Sequence, residues 1–306
     1  FGEKCADDST IIGAFFSKRN LPLLDGELGY SEFGVWWSNR SYGALSVNYS
    51  HLNLGEVQQV FQNGHLGAIV RSYHDLLSTT VASPLISGFR LGATLKQVTT
   101  SILAVTADDS GFGSLPVYGS GIWCDLGATY QLPLKINGDA EAPLRFGLSL
   151  RDLGGDLAYN EPSFSAPVPA WLNVGGMLTI PFPEFEGELG VGVGGLWQLN
   201  SIENQPASIN DERRSELDAA VQIRAYGLSF RLGLHRQSVD DLYAQQSTIS
   251  PRYGFGVHLP VRKIGINAPL ILDFDYGLLP LHPQATSVQT ENVHALQLQV
   301  GLIIEE

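Results

Sequence analysis

Gly121-Ile-Trp-Cys-Asp-Leu-Gly-Ala-Thr-Tyr130 alternates strictly. Ile122, Cys124, Leu126, Ala128 and Tyr130 share one parity, and Trp123, Asp125, Gly127 and Thr129 the other. Side chains of a strand point to opposite faces with period two, so this stretch is a strand with one apolar face and one polar or glycine-bearing face. Its neighbours repeat the pattern. Leu144, Phe146, Leu148 and Leu150 oppose Arg145, Gly147, Ser149 and Arg151. Trp171–Pro181 follows as a further strand, and Phe182-Pro-Glu-Phe185 as a tight turn.

The same unit recurs along the chain. Leu45, Val47 and Tyr49 oppose Ser46, Asn48 and Ser50, and Phe89, Leu91, Ala93 and Leu95 oppose Arg90, Gly92, Thr94 and Lys96. Further on, Leu217, Ala219, Val221 and Ile223 oppose Asp218, Gln222 and Arg224. Leu228, Phe230, Leu232 and Leu234 oppose Ser229, Arg231, Gly233 and His235. Tyr253, Phe255, Val257 and Leu259 oppose Gly254, Gly256 and His258, and Leu272, Phe274 and Tyr276 oppose Asp273 and Asp275. The last strand sets Leu296, Leu298, Val300 and Leu302 against Gln297, Gln299 and Gly301. Thirteen or fourteen strands result, and a closed barrel of this type takes an even number. Thr10–Phe16 is read as either the first strand or a plug folded into the barrel. The expected organisation is an N-terminal segment, 1–25, followed by a barrel over 26–306.

Composition points the same way. Of 306 residues only 16% are charged, against about 25% in soluble domains. Glycine is abundant at 34 residues, and no run of about 20 apolar residues exists for a transmembrane helix. A soluble β-sandwich would bury its apolar face behind Greek-key connections, and a propeller would repeat a blade signature that is absent here. The expected fold is therefore all-β, a single closed antiparallel transmembrane β-barrel of about 14 strands with its apolar face outward. Short and long connections alternate, with Asn53–Gly64, Thr106–Pro116 and Gln237–Ser250 read among the long ones, as expected for periplasmic turns and extracellular loops of a Gram-negative outer membrane. The net charge of −13 disfavours nucleic acid as a partner.

Function is harder to read. The polar parity collects Arg90, Lys96, Asp125, Arg145, Arg151, Asp218, Arg224, Arg231, His258, Asp273 and Asp275. Unpaired charges are costly in a low-dielectric interior, so cross-strand pairing is expected, either as a structural lattice or along a conduction path. The seven histidines are scattered, and no Gly-x-Ser-x-Gly, His-Glu-x-x-His or Cys-x-x-Cys occurs. No enzymatic activity, metal or cofactor is expected. Asp108-Asp109 and Asp240-Asp241 read as solvated acidic loops, with calcium binding as the sharper alternative. The five tryptophans, Trp36, Trp37, Trp123, Trp171 and Trp197, read as an interfacial girdle. Cys5 and Cys124 are too few for a disulfide framework, though a single bond between them is conceivable. Leu278, Leu279, Pro280 and Leu281 read as an apolar loop tip suited to docking.

These motifs together resemble the PorV/PorQ-like outer-membrane proteins of the FadL superfamily. Gly121-Ile-Trp-Cys-Asp125-Leu-Gly127-Ala-Thr-Tyr130 is similar to that family's G-W-x-x-D-x-G-x-x-Y strand. Leu148-Ser-Leu-Arg-Asp152-Leu-Gly154 resembles its x-N-x-G segment, with Asp152 where Asn is usual. Pro167-Val-Pro169, Tyr253-Gly-Phe-Gly256 and Leu272-Asp-Phe-Asp275-Tyr276 resemble later motifs in the same order. Departures are the early Asn-Pro-Ala, matched only by Asn20-Leu21-Pro22, and an end without the terminal aromatic. The resemblance implies a fourteen-stranded barrel with an internal plug. It implies two roles of different class. One is a docking or shuttle subunit of a type IX-like secretion complex, with other outer-membrane or secreted proteins as partners. The alternative is a FadL-like transporter of hydrophobic small molecules.

Overall fold

The computed structural model describes residues 10–20, 29–60, 66–108, 111–136, 140–160, 165–199, 213–240, 245–260, 270–280 and 292–304. Sixteen strands form in chain order. They are β1 (Thr10–Asn20), β2 (Gly29–Asn39), β3 (Gly43–Val60), β4 (Leu66–Ala82), β5 (Phe89–Asp108), β6 (Gly111–Ile136), β7 (Ala140–Gly154), β8 (Leu157–Tyr159), β9 (Ser165–Ala166) and β10 (Trp171–Phe182). The rest are β11 (Gly187–Gln198), β12 (Arg213–Ala225), β13 (Leu228–Asp240), β14 (Gln245–Pro260), β15 (Leu270–Pro280) and β16 (Asn292–Ile304). Fourteen of them close a barrel by antiparallel neighbour pairing, and β1 meets β16 from Thr10↔Ile304 to Asn20↔His294. Thr10–Phe16 is thus wall: β1 pairs with β2 on its other edge along its whole length. The two short strands lie outside the ring order. β8 pairs with the top of β6 through Gly119↔Tyr159, and β9 pairs with β8.

The barrel is inside-out relative to a soluble fold. Its buried polar positions include Ser17, Ser50, Ser78, Thr100, Thr179 and Ser250, while Phe33, Leu91, Ile122, Phe230 and Leu234 are more than half exposed. Water would not tolerate that arrangement, since large apolar side chains are normally the buried ones. Lipid does, because the outward face then meets hydrocarbon and every backbone group is satisfied between strands.

Turn chemistry fixes the lower rim. Tyr226 and Gly227 both have positive φ, 51° and 81°, and join β12 to β13 as a two-residue hairpin whose twist matches the strands. Several expected loops turn out to be strand. Only two residues separate β5 from β6, so Thr106–Pro116 extends the ladder instead of forming a loop. Asn53–Gly64 and Gln237–Ser250 likewise become largely strand in β3, β13 and β14. The regular alternation of short and long connections is therefore broken on the upper side. Above the lipid-facing band a strand no longer needs an apolar outer face, so the period-two signal fades while the backbone pairing continues. On β3 and β4 the change comes at His51 and Asp75, an outer-face polar pair 2.7 Å apart.

Leu278, Leu279 and Pro280 belong to β15, and so are not a loop tip. Leu278 stands opposite Tyr253, on the lipid-facing parity. Leu281, Asp109 and Asp241 lie outside the described residues, whereas Asp108 ends β5 and Asp240 ends β13. Cys124 is a free thiol beside Leu95, and Cys5 lies outside the described residues.

Candidate functional site, the lumen

The polar parity does face the lumen, and most of its charges find partners. Lys96, nearly buried, sits 2.6 Å from Asp125 and 2.8 Å from Asp152. Asp152 occupies a bulge where Cys124↔Leu153 shifts to Leu126↔Leu150, in the left-handed region at φ 57°. Asn and Asp tolerate that conformation best, which gives a physical reason for a short polar side chain at this position. Its backbone N–H donates to Asp125 at 2.8 Å, so one lysine and two carboxylates pin the bulge. Beside them Trp123 is 4% exposed and donates its indole N–H to the Gly155 carbonyl at 2.8 Å. It therefore faces inward and is no part of a girdle. Trp36 also lies inward, over Gly13, whereas Trp37 and Trp197 share the lipid-facing parity. Parity alone carried this signal: Trp123 shares its face with Asp125, not with Leu126.

A second group of charges lines β11–β15. Asp218 accepts from His235 at 2.9 Å and from Arg252 at 3.2 Å. Arg231 lies 2.9 Å from Asp275, Arg224 lies 3.4 Å from Glu188, and His258 pairs with Asp273. Two of these bridges skip a strand. Arg231 is on β13 and Asp275 on β15, with Gly254 and Gly256 of β14 between them. A Cβ on Gly256 would run into the Asp275 carboxylate and the Ser229 hydroxyl. Asp218 of β12 and Arg252 of β14 meet in the same way across Gly233 of β13. Glycine on the polar parity removes the side chain that would otherwise separate two charges. Asp152, Glu188, His235 and Arg252 were absent from the sequence-derived set; a bulge, a strand edge and a skipped strand put Asp152, Glu188 and Arg252 in reach of their partners, while His235 stands directly opposite Asp218 on the neighbouring strand.

Away from the Lys96 cluster, the β5–β11 wall carries the same glycines without bridges over them. Gly92 of β5 opposes Gly127 of β6, and Gly147, Gly175 and Gly194 form a row across β7, β10 and β11. A cavity of about 620 Å³ lies against this bare backbone, flanked by Arg90 and Arg145. A second cavity of about 390 Å³ lies against Gly233, Gly254 and Gly277. The two share Asp218 and Ala220 as lining and so adjoin. Arg145 hydrogen-bonds to Gln131 at 3.3 Å. Among the described residues, Arg90, Arg145 and Arg151 have no carboxylate partner. Glu216, Asp218 and His235 bring three potential ligand atoms within 4.8 Å of one another, but Arg252 and the imidazole already satisfy Asp218.

No family model matches the chain, and no curated protein matches it in sequence. Solved structures do match it in fold. A Pseudomonas aeruginosa FadL homologue aligns over 98% of this chain and 90% of its own, with a TM-score of 0.50 at 9% identity. The Pseudomonas putida toluene transporter TodX aligns over 98% and 88%, with a TM-score of 0.47 at 9% identity. An outer-membrane channel from Pseudomonas putida F1 aligns over 96% and 95%, with a TM-score of 0.46 at 13% identity. At such identities the likeness is one of fold. The chain shares with the Pseudomonas aeruginosa protein the fold of a closed outer-membrane barrel, here of fourteen strands, and no match supports the narrower resemblance to PorV/PorQ.

Proposed function

We propose that this protein is an integral outer-membrane channel that passes small, largely apolar molecules, with its short turns periplasmic and its opposite rim extracellular. The observation that carries the reading is the pair of adjoining luminal cavities, about 620 and 390 Å³, the larger rich in glycine backbone and the smaller lined by glycines together with Arg231, Arg252 and Asp275. Their size suits a small-molecule ligand. Glycine and alanine walls present Cα and methyl surface with little hydrogen-bonding demand, which favours apolar contact over a hydrated ion path. The FadL-type fold agrees with this choice, although a fold by itself does not fix a function. The docking role in a type IX-like complex rests on the resemblance alone, and its expected apolar loop tip is a lipid-facing strand at Leu278. The test is uptake of labelled toluene and of a similarly sized sugar into vesicles carrying the purified protein. Protein-dependent uptake of toluene ahead of the sugar is the expected result. Equal exclusion of both, with stoichiometric protein partners co-purifying from outer membranes in mild detergent, would overturn it in favour of docking.

A further inference from the structure

We propose that Arg90 and Arg145 form an oxyanion-binding ledge in the larger luminal cavity, so that the solutes selected carry a carboxylate or phosphate group. The inference rests on the channel reading and deepens it.

Three observations carry it. Both arginines line the 620 Å³ cavity, on β5 and β7, and both are exposed to it. Neither has a carboxylate partner among the described residues, whereas Lys96, Arg224, Arg231 and Arg252 each have at least one. Their register places them together. Arg90 stands opposite Thr129, and Arg145 stands opposite Gln131 on the same strand, β6. Two strand spacings and a two-residue offset separate their Cα atoms by about 12 Å. Thr129 lies on the strand between them.

The chemistry follows from the guanidinium. It stays charged at any working pH and presents a planar fork that matches a carboxylate or phosphate edge. A neighbouring carboxylate would occupy that fork, as Asp275 does for Arg231. Here Arg145 gives its Nε–H to the Gln131 side chain at 3.3 Å, and the remaining donors of the two forks are left for a solute. The glycine wall alongside gives room for the solute's body, since a Cβ at Gly147 would meet nothing within 4 Å. Asp218, which lines the same cavity, and Asp275 are each paired with an arginine, Arg252 and Arg231, so they do not compete for Arg90 and Arg145.

The experiment compares benzoate with benzamide, its uncharged isostere, in the full-length protein and in the Arg90→Gln/Arg145→Gln double variant. Vesicle uptake by the native protein should favour benzoate by roughly tenfold, the scale of one charge-assisted hydrogen bond. The double variant should lose that preference, while Arg90→Lys/Arg145→Lys should fall between. Competition by inorganic phosphate would assign the ledge to oxyanions in general, and its failure to carboxylates with an apolar body. An unchanged benzoate preference in the glutamine variant overturns the inference and leaves the channel reading standing. Should neither solute cross, the channel reading fails, and benzoate binding to the detergent-solubilised protein then decides the ledge by itself. Loss of that binding in the glutamine variant supports the ledge, and absent or unchanged binding rejects it.

Discussion

The two walls of the lumen use the same residues to opposite ends. Along β12–β15, glycines at 233, 254 and 256 act as saddles over which charges on alternate strands meet. Along β5–β11, glycines at 92, 127, 147, 175 and 194 lie under no bridge, and the arginines beside them keep their charge open. A glycine in a strand interior weakens it, and it marks a close approach by something else. On one wall that something is an ion pair of the protein itself. On the other it is empty volume. The lesson is that glycine on a luminal face does not declare its purpose; the charges two strands away do.

That contrast can be broken by substitution. The largest effect is expected at Lys96. Lys96→Met leaves Asp125 and Asp152 facing each other with little exposure, and should cost about 3 kcal/mol in urea-induced unfolding from lipid vesicles. An unaltered midpoint would mean that the bulge is held by backbone pairing alone. Next comes Gly256→Leu on the bridged wall, where the new side chain displaces the Asp275 carboxylate. Overpacking there should lower stability by about 2 kcal/mol in the same assay. Its counterpart on the bare wall, Gly147→Trp, meets open space. It should leave the unfolding midpoint within about 0.5 kcal/mol of native while cutting solute flux about tenfold, by filling the cavity. If both glycine variants behave alike, the distinction between the walls is lost. The smallest effect is expected for Arg231→Gln. Its partner is about a third exposed and the arginine more so, and such pairs contribute about 0.2–1 kcal/mol. Measurement of its stability against Lys96→Met would calibrate how far water in the lumen screens each wall.

Much of this barrel was legible in the chain, and the reason is specific. A lipid-facing strand must place an apolar residue at every second position, so Leu228, Phe230, Leu232 and Leu234 announce both a strand and its outer face. The luminal charges followed by subtraction, and the structure puts Arg90, Asp218, Asp275 and the others on that face. Where the solvent constraint ended, the signal ended with it. The upper parts of β3, β5, β6 and β14 were read as loops because a strand above the membrane needs no alternation. The pairing of charges was hidden for a different reason. Arg231 meets Asp275 across a glycine of a third strand, and Lys96 meets Asp152 through a bulge with φ at 57°. Register decides such contacts, and register is not written in any one segment.

The sequence by itself determined that this protein is a β-barrel with an apolar exterior, how many strands it has to within one, and which side chains face inward. Those follow from local geometry, since a strand's two faces are set by parity and the medium on each side selects the residues. Only the tertiary structure decided that β1 closes on β16, that the β12–β15 wall pairs its charges, and that Arg90 and Arg145 stand beside bare backbone with no carboxylate partner among the described residues. These are relations between strands distant in the chain, fixed by closure and stagger of the whole ring, and no single strand contains them.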